Sequence, residues 1–276
     1  TSVSSNPSLM SGLVGYWTFD GKDTNWATGK TNDLSGQGNT GQLISMSTTT
    51  SPVAGKIGQA LKFNGTNYVG LGGSDISGNC TVSFWANGQN TGGQVILLQS
   101  ATTNSGVSLR YSQYNNNGKF GYTKYGVADY LLDYPTPFNR FAHIVYVINS
   151  SGVSLYVDGI FRVTNSNVIN CPRNIVGYPS FNGTIDDVRI YNRALSAGEV
   201  TRLYQLGATS YINTAVPSNP NLKSGLVGYW TFDGKDTNWG TNKTNDLSGN
   251  GNTGTMTSMS TTTSPVAGKI GQGLLF

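Results

Sequence analysis

Apolar side chains recur at every second position through most of residues 12–191. Leu13, Trp17 and Phe19 fall on one face of 12–19. Leu61 and Phe63, then Tyr68, Val69 and Leu71, mark two strands joined by the turn-forming pair Asn64-Gly65. Cys80, Val82, Phe84 and Ala86 alternate with Thr81, Ser83, Trp85 and Asn87. The same period predicts strands over 95–100, 107–114, 119–124, 140–149, 153–157, 160–163 and 185–191. Short strands at such regular spacing predict an all-β fold, a two-sheet antiparallel sandwich. The longest apolar run, Ala142 to Ile148, suits a buried strand, and no stretch reaches the length of a membrane span.

One helix is predicted after the last strand. Ser196 and Glu199 have the spacing of a capping box, Leu195 and Val200 that of a hydrophobic staple, and Gly207 supplies a left-handed C-terminal position. Composition agrees with a single short helix. Charged residues make up 11% of the 276, against roughly 25% in an average globular chain, and Gly reaches 37. That excludes helix bundles and coiled coils. An apolar fraction of 37%, with five Trp, fifteen Tyr and ten Phe, is enough to fill a core. The net charge of +4 is scattered, with no basic run, so no nucleic-acid partner is expected.

The chain repeats itself. Thr1–Phe63 aligns without gaps to Thr214–Phe276, an offset of 213, and 51 of those 63 positions are identical. Solenoid repeats have periods of about 20 to 50 residues, so this is duplication of a whole domain. The expected organisation is an extension over 1–11, a first domain over 12–207, a linker over 208–224 rich in Ser, Asn, Pro and Thr, and the start of a second unit over 225–276.

Seven segments then appear in one order: GLVGYWTFDG (12–21), DLSGQGNTG (33–41), GKIGQALKFNG (55–65), TVSFWANG (81–88), RFAHIVYVI (140–148), SLYVDGIF (154–161) and FNGTIDDVRIYNRALSAGEVTRLY (181–204). Together they resemble the laminin-G-like, concanavalin A-like jelly roll of bacterial surface proteins. The resemblance implies two antiparallel sheets, one concave, with the first and last strands adjacent. It also implies a calcium ion near that junction, with Asp20, Asp33, Asn39 and Asp186 as its motif-matched ligands. Calcium takes six to eight oxygens, which carboxylates, amides and a Gly-rich loop can offer. On the residues alone, Asp33 and Asn39 equally suit turn formation, and Asp20 a loop cap.

In similar domains Cys171 runs near the strand that Cys80 opens, so the resemblance implies a disulfide between them if the protein is extracellular; two buried free thiols are the alternative. Any secretory segment is expected to have been removed or to lie outside the sequence. His143 has no second histidine to build a metal site with, and its place on a central strand suits packing.

The fold also hosts glycosidases, which need paired carboxylates. The only glutamate, Glu199, already caps the helix, and Asp186 and Asp187 would face opposite ways on a regular strand. A non-catalytic role is therefore expected. Two forms of it stand: serial domains building an extracellular fibre or adhesive stalk through contacts with other copies, or a glycan-binding module. For the latter, residues 111–134 hold six tyrosines, of which Tyr111, Tyr114, Tyr122, Tyr125 and Tyr130 are the candidate stacking platforms.

Overall fold

The structure, a computed structural model, describes residues 7–91, 95–101, 106–113, 118–178, 180–208, 225–232, 236–261, 263–267 and 272–276. In chain order a single turn α1 (Pro7–Met10) leads into β1 (Leu13–Trp17), β2 (Thr24–Asn25), β3 (Lys30–Thr31), β4 (Gly41–Ile44), β5 (Pro52–Ala54), β6 (Gln59–Asn64) and β7 (Tyr68–Gly70). Then come β8 (Cys80–Gly88), β9 (Val95–Gln99), β10 (Val107–Ser112), β11 (Lys119–Lys124) and β12 (Ala128–Pro135). The domain ends with β13 (Ala142–Asn149), β14 (Gly152–Val157), β15 (Ile160–Asn165), β16 (Ile175–Val176), β17 (Asn182–Tyr191) and the helix α2 (Ala197–Ala208).

Among the described residues these strands form two antiparallel sheets. One runs β15-β14-β13-β8-β17-β6-β5, with β1 also on β17. The other runs β12-β11-β10-β9-β16-β7-β4-β3-β2. First and last strands are neighbours, with Trp17 opposite Val188. The two strands flanking Asn64-Gly65 do not form a hairpin. β6 belongs to the first sheet and β7 to the second, so the turn is a corner between layers.

The main core lies between the sheets and includes Trp17, Phe63, Phe84, Leu109, Phe120 and Ile185. A second cluster covers the outer side of the first sheet: Leu9, Leu13, Val145, Val147 and Tyr191 meet Leu195, Val200 and Leu203 of the helix region. That double cover explains β8, where every residue but Asn87 is buried although the sequence alternates. A strand sandwiched on both faces can bury Thr81 and Ser83 only if they are bonded. Thr81 Oγ1 duly donates to Arg193 O and accepts from Leu195 N.

The capping box forms as expected. Ser196 N donates to Glu199 Oε2 at 2.9 Å and Glu199 N to Ser196 Oγ at 3.3 Å. Gly207 differs from its expected role. It lies inside α2, and a Cβ there would come within 2.2 Å of Trp85 Nε1, so its missing side chain admits the indole rather than turning the chain.

Among the described residues, part of the duplicated segment repeats the pairing of the first copy at the same offset, although 226–230, the counterpart of β1, is not a strand. β18 (Thr237–Asn238), β19 (Lys243–Thr244) and β20 (Gly254–Thr255) pair as β2, β3 and β4 do, and β21 (Pro265–Ala267) pairs with β22 (Gln272–Leu274) as β5 does with β6. Phe19 and Phe232 share a positive φ of 59° and 60°.

Candidate functional site

Three places hold the chemistry of the first domain. The first is the junction of β1 and β17. Register between β17 and β8 breaks between Asp186 and Arg189, and Asp187 sits at φ 54°. The expected regular strand would send these two carboxylates to opposite faces; the bulge instead buries both. Asp187 pairs with Arg189, whose Nη2 donates to Tyr16 Oη at 3.1 Å. Asp186 Oδ2 accepts from Ile57 N at 2.8 Å, while its Oδ1 is buried with no hydrogen-bond partner. Burial, reinforced by the neighbouring Asp187 charge, pushes the Asp186 carboxyl well above the usual carboxylate range. Asp20, also raised by burial, accepts from Gln59 N at 2.8 Å. The 55–59 loop lies against both: a Cβ on Gly58 would come within 2.3 Å of Asp20 Oδ1, and one on Gly55 within 2.6 Å of Asp186 Oδ2.

The expected four-residue calcium set does not converge. Asp33 Oδ1 accepts from Tyr16 N and Ser35 N, and its Oδ2 from Asn39 N. Asn39 Nδ2 donates in turn to Val14 O at 2.9 Å. This pair pins the Gly-rich loop to β1 through backbone groups, the turn-forming role. Among the described residues no three acidic, His or Cys side chains group as a metal site.

The second place is His143. Its Nε2 and Ser83 Oγ are 2.9 Å apart, the distance of a nucleophile–base pair. Both are fully buried, beneath Trp85 and Tyr204, whose rings lie 5.1 and 6.1 Å from the imidazole. Burial pushes the imidazole down to about 3, with Arg189 adding to it.

The third is the outer face of the second sheet. Tyr111 and Tyr122, expected as stacking platforms, are fully buried in the core between sheets, because they alternate in phase with Leu109 and Phe120. Tyr130 stacks on Tyr122 at 5.0 Å and packs against that core as well. Tyr114 lies outside the described residues. Tyr125 alone stays on the other face, with the Arg110 guanidinium 5.9 Å from its ring centre.

Cross-strand register defines what the tyrosine count missed. Asp129, Thr123, Ser108 and Gln99 sit opposite one another in turn across β12, β11, β10 and β9. The row continues through Ile175 and Gly70 to Gln42 and Lys30. Apart from Ile175 and Gly70 it is polar, buried at Thr123, Ser108 and Gln99 and exposed at Asp129 and Gln42. Gln99 Oε1 and Nε2, Ser108 Oγ and Ser112 Oγ are buried without a hydrogen-bond partner. The signal was present in sequence: Ser108, Arg110 and Ser112 are the polar phase of a strand whose apolar phase is Val107, Leu109 and Tyr111.

Two antiparallel sheets in this order, with the first strand paired to the last within one of them, define a concanavalin A-like jelly roll. The chain belongs to the laminin-G-like family of the concanavalin A-like lectin/glucanases superfamily, whose sequence model matches residues 63–201. Among solved structures it is similar to domain 4 of AbnA, an extracellular arabinanase of family GH43 from Geobacillus stearothermophilus, in complex with arabinotriose. That likeness has 22% identity and a TM-score of 0.57, covering 71% of this chain and 99% of that domain. The receptor-binding domain of botulinum neurotoxin D follows at 17% identity and TM-score 0.52, covering 73% of this chain and 54% of that one. A Trypanosoma rangeli sialidase mutant displaying trans-sialidase activity is 16% identical with a TM-score of 0.50, covering 70% of this chain and 32% of the sialidase. These likenesses establish the fold. No curated protein matches the chain.

Proposed function

We propose that the chain is a non-catalytic, extracellular oligosaccharide-binding module presented in series. The observation that carries this reading is the polar row on the second sheet. Buried hydroxyl and amide groups without partners are uncommon in proteins, and here they underlie a row whose exposed positions Asp129 and Gln42 are where a sugar's hydroxyls would make their first contacts. From Asp129 to Gln99 the row crosses three strand spacings, about 14 Å, the reach of a short oligosaccharide. Tyr125 beside Arg110 adds an aromatic face. The disulfide and the lack of any membrane-crossing helix among the described residues fit an extracellular place. Arabino-oligosaccharides are the first ligands to try, since the similar arabinanase domain holds arabinotriose, followed by a broad glycan array. Binding is expected to weaken at least tenfold in Arg110→Gln, with melting monitored to confirm folding. Unchanged affinity in that variant removes this face, and silence across the array leaves only the serial-domain reading.

That second reading, a fibre or adhesive stalk of repeated units, draws on the 51 identities in 63 positions. A row of near-identical domains gives length and multivalency whatever each one binds.

Calcium enters the same proposal at Asp20 and Asp186 rather than at all four expected residues. Both carboxyls are raised, and the buried Asp186 Oδ1 lacks a partner, so a cation beside the 55–59 loop would relieve both. Calcium should then raise the melting temperature and Asp186→Asn should abolish the increment. Identical melts with calcium and with chelator remove the ion.

A further inference from the structure

The second sheet ends at the short hairpin of β2 and β3, and the sequence builds that hairpin twice. Thr24 stands opposite Thr31 and Asn25 opposite Lys30, as Thr237 stands opposite Thr244 and Asn238 opposite Lys243. Asn25 Oδ1 accepts from Thr28 N at 3.1 Å, and Asn238 Oδ1 from Thr241 N at 3.1 Å, so an asparagine side chain braces each turn. The left-handed position is Gly29 in one copy and Asn242 in the other, the two residue types that adopt it most readily. The base is tied by Asn32 N donating to Asp23 O and by Asn245 N donating to Asp236 O, both at 2.8 Å. A threonine hydroxyl fixes each carboxylate: Thr18 Oγ1 donates to Asp23 Oδ2 at 2.7 Å, and Thr231 Oγ1 to Asp236 Oδ2 at 2.6 Å.

In the second copy this frame surrounds an open pocket of about 570 Å³, within the size range of small-molecule sites. Its walls are Asp236, Asn238, Trp239, Lys243 and Asn245 with three threonines, all within residues 236–253. The same five side chains recur at the offset of 213 as Asp23, Asn25, Trp26, Lys30 and Asn32. The first domain, with both its sheets formed, presents them in the same way. Asn25, Lys30 and Asn32 are exposed, Trp26 is half-buried and Asp23 is buried, and each counterpart in the second copy has the same exposure. The opening therefore belongs to the hairpin itself. Trp26 packs against the main core, which holds the indole in place while part of it stays exposed.

We infer that each hairpin is a saccharide-binding site, taking a neutral sugar residue against Trp26 in the first domain and against Trp239 in the second. An indole offers an apolar face to the C–H bonds of a sugar ring. Around it stand groups of both hydrogen-bonding senses: the asparagine amides donate and accept, the lysine only donates and the aspartate only accepts. A phosphate needs donors and is opposed by the carboxylate, and an apolar ligand would leave these groups unpaired. Hydroxyls, each both donor and acceptor, answer to the whole set, and one lysine against one aspartate matches a ligand without charge. The site stands apart from the sheet-face reading above. β3 lies five strand spacings, about 24 Å, from the β10 that carries Arg110.

The test uses the full 276-residue chain carrying Arg110→Gln, which takes the sheet face out of play, on an array of neutral oligosaccharides. The strongest hit is then titrated calorimetrically, with melting followed in every variant. The expected result is binding that Trp26→Ala with Trp239→Ala weakens at least tenfold. Either substitution alone should lower the number of glycans bound per chain and leave the affinity of the remaining site within twofold. Because Trp26 also packs on the core, Asn32→Ala with Asn245→Ala repeats the test at exposed side chains and should weaken binding at least fivefold with an unchanged melt. No hit on the array, or a hit whose affinity neither pair of substitutions alters, overturns the inference. In the otherwise wild-type chain, a glycan lost through Arg110→Gln reports the sheet face, whereas one kept through it and lost through the tryptophan pair reports the hairpins, so either site can fail without the other.

Discussion

At the scale of single residues, the clearest consequence of burial is at His143. The imidazole is sealed among Ser83, Trp85 and Tyr204, and its pKa is lowered to about 3 by burial, with Arg189 adding to it. An unfolded histidine titrates near 6.5. Between those values the unfolded chain binds a proton that the folded chain does not, so stability falls as pH drops from about 6.5 toward 3. Two other groups act on the same curve. Glu199, held down to about 2 chiefly by Arg193, adds a loss below the ordinary glutamate range, whereas the raised Asp186 works in the opposite sense. Comparing wild type with His143→Gln isolates the histidine. The stability advantage of the wild type should shrink by about 1.4 kcal/mol for each pH unit in that window. Parallel pH profiles for the two proteins would show that His143 is not the group responsible. The packing role of His143 was legible from its strand context, but the tyrosines were not sorted by their number. Tyr111 and Tyr122 share the phase of Leu109 and Phe120, and phase decides which sheet face a side chain meets.

At the scale of elements, strands with a two-residue period were readable to within a few positions. β11 falls on the predicted 119–124, and β13 lies within the predicted 140–149. The missing ones had no such period. β2 and β3 are two residues each, too short to show any alternation, and β16 is no longer. β12 is mostly exposed, with Leu132 its buried residue, so its polar positions masked it. Sheet membership was illegible at Asn64-Gly65 for another reason. A turn signal fixes a change of direction, whereas the partner of each strand depends on residues far along the chain: β17 for β6, and β4 and β16 for β7. The bulge at Asp187 is of the same kind. Nothing in the string TIDDVRI marks a break, yet with the break both carboxylates are buried, Asp186 against the 55–59 loop and Asp187 on Arg189. The polar row on the second sheet is likewise a product of register across seven ladders, which local pattern does not contain.

For the whole molecule, the link between the two layers is the disulfide implied by the resemblance. Cys80 opens β8 in the first sheet, and Cys171 is bridged to Ile76 shortly before β16 in the second. The pair is bonded, with Cα atoms 6.2 Å apart and a sequence separation of 91. Both sulfurs belong to the main core and are fully buried. Closing a loop of that length removes freedom from the unfolded chain worth roughly 4 kcal/mol in the loop-entropy account, a large share of a domain's net stability. The bond also joins elements that no backbone ladder connects, since β8 and β16 belong to different sheets. Reduction under native conditions should be slow, because the bond is sheltered until the sheets part. Once reduced, the protein should melt earlier, with a lower denaturant midpoint and a slightly steeper slope, as the unfolded chain gains exposure. Alkylation of unreduced, unfolded protein should label no cysteine. Two labelled thiols in that experiment would dissolve the link, and with it the strongest argument that the domain works in an oxidising, extracellular setting.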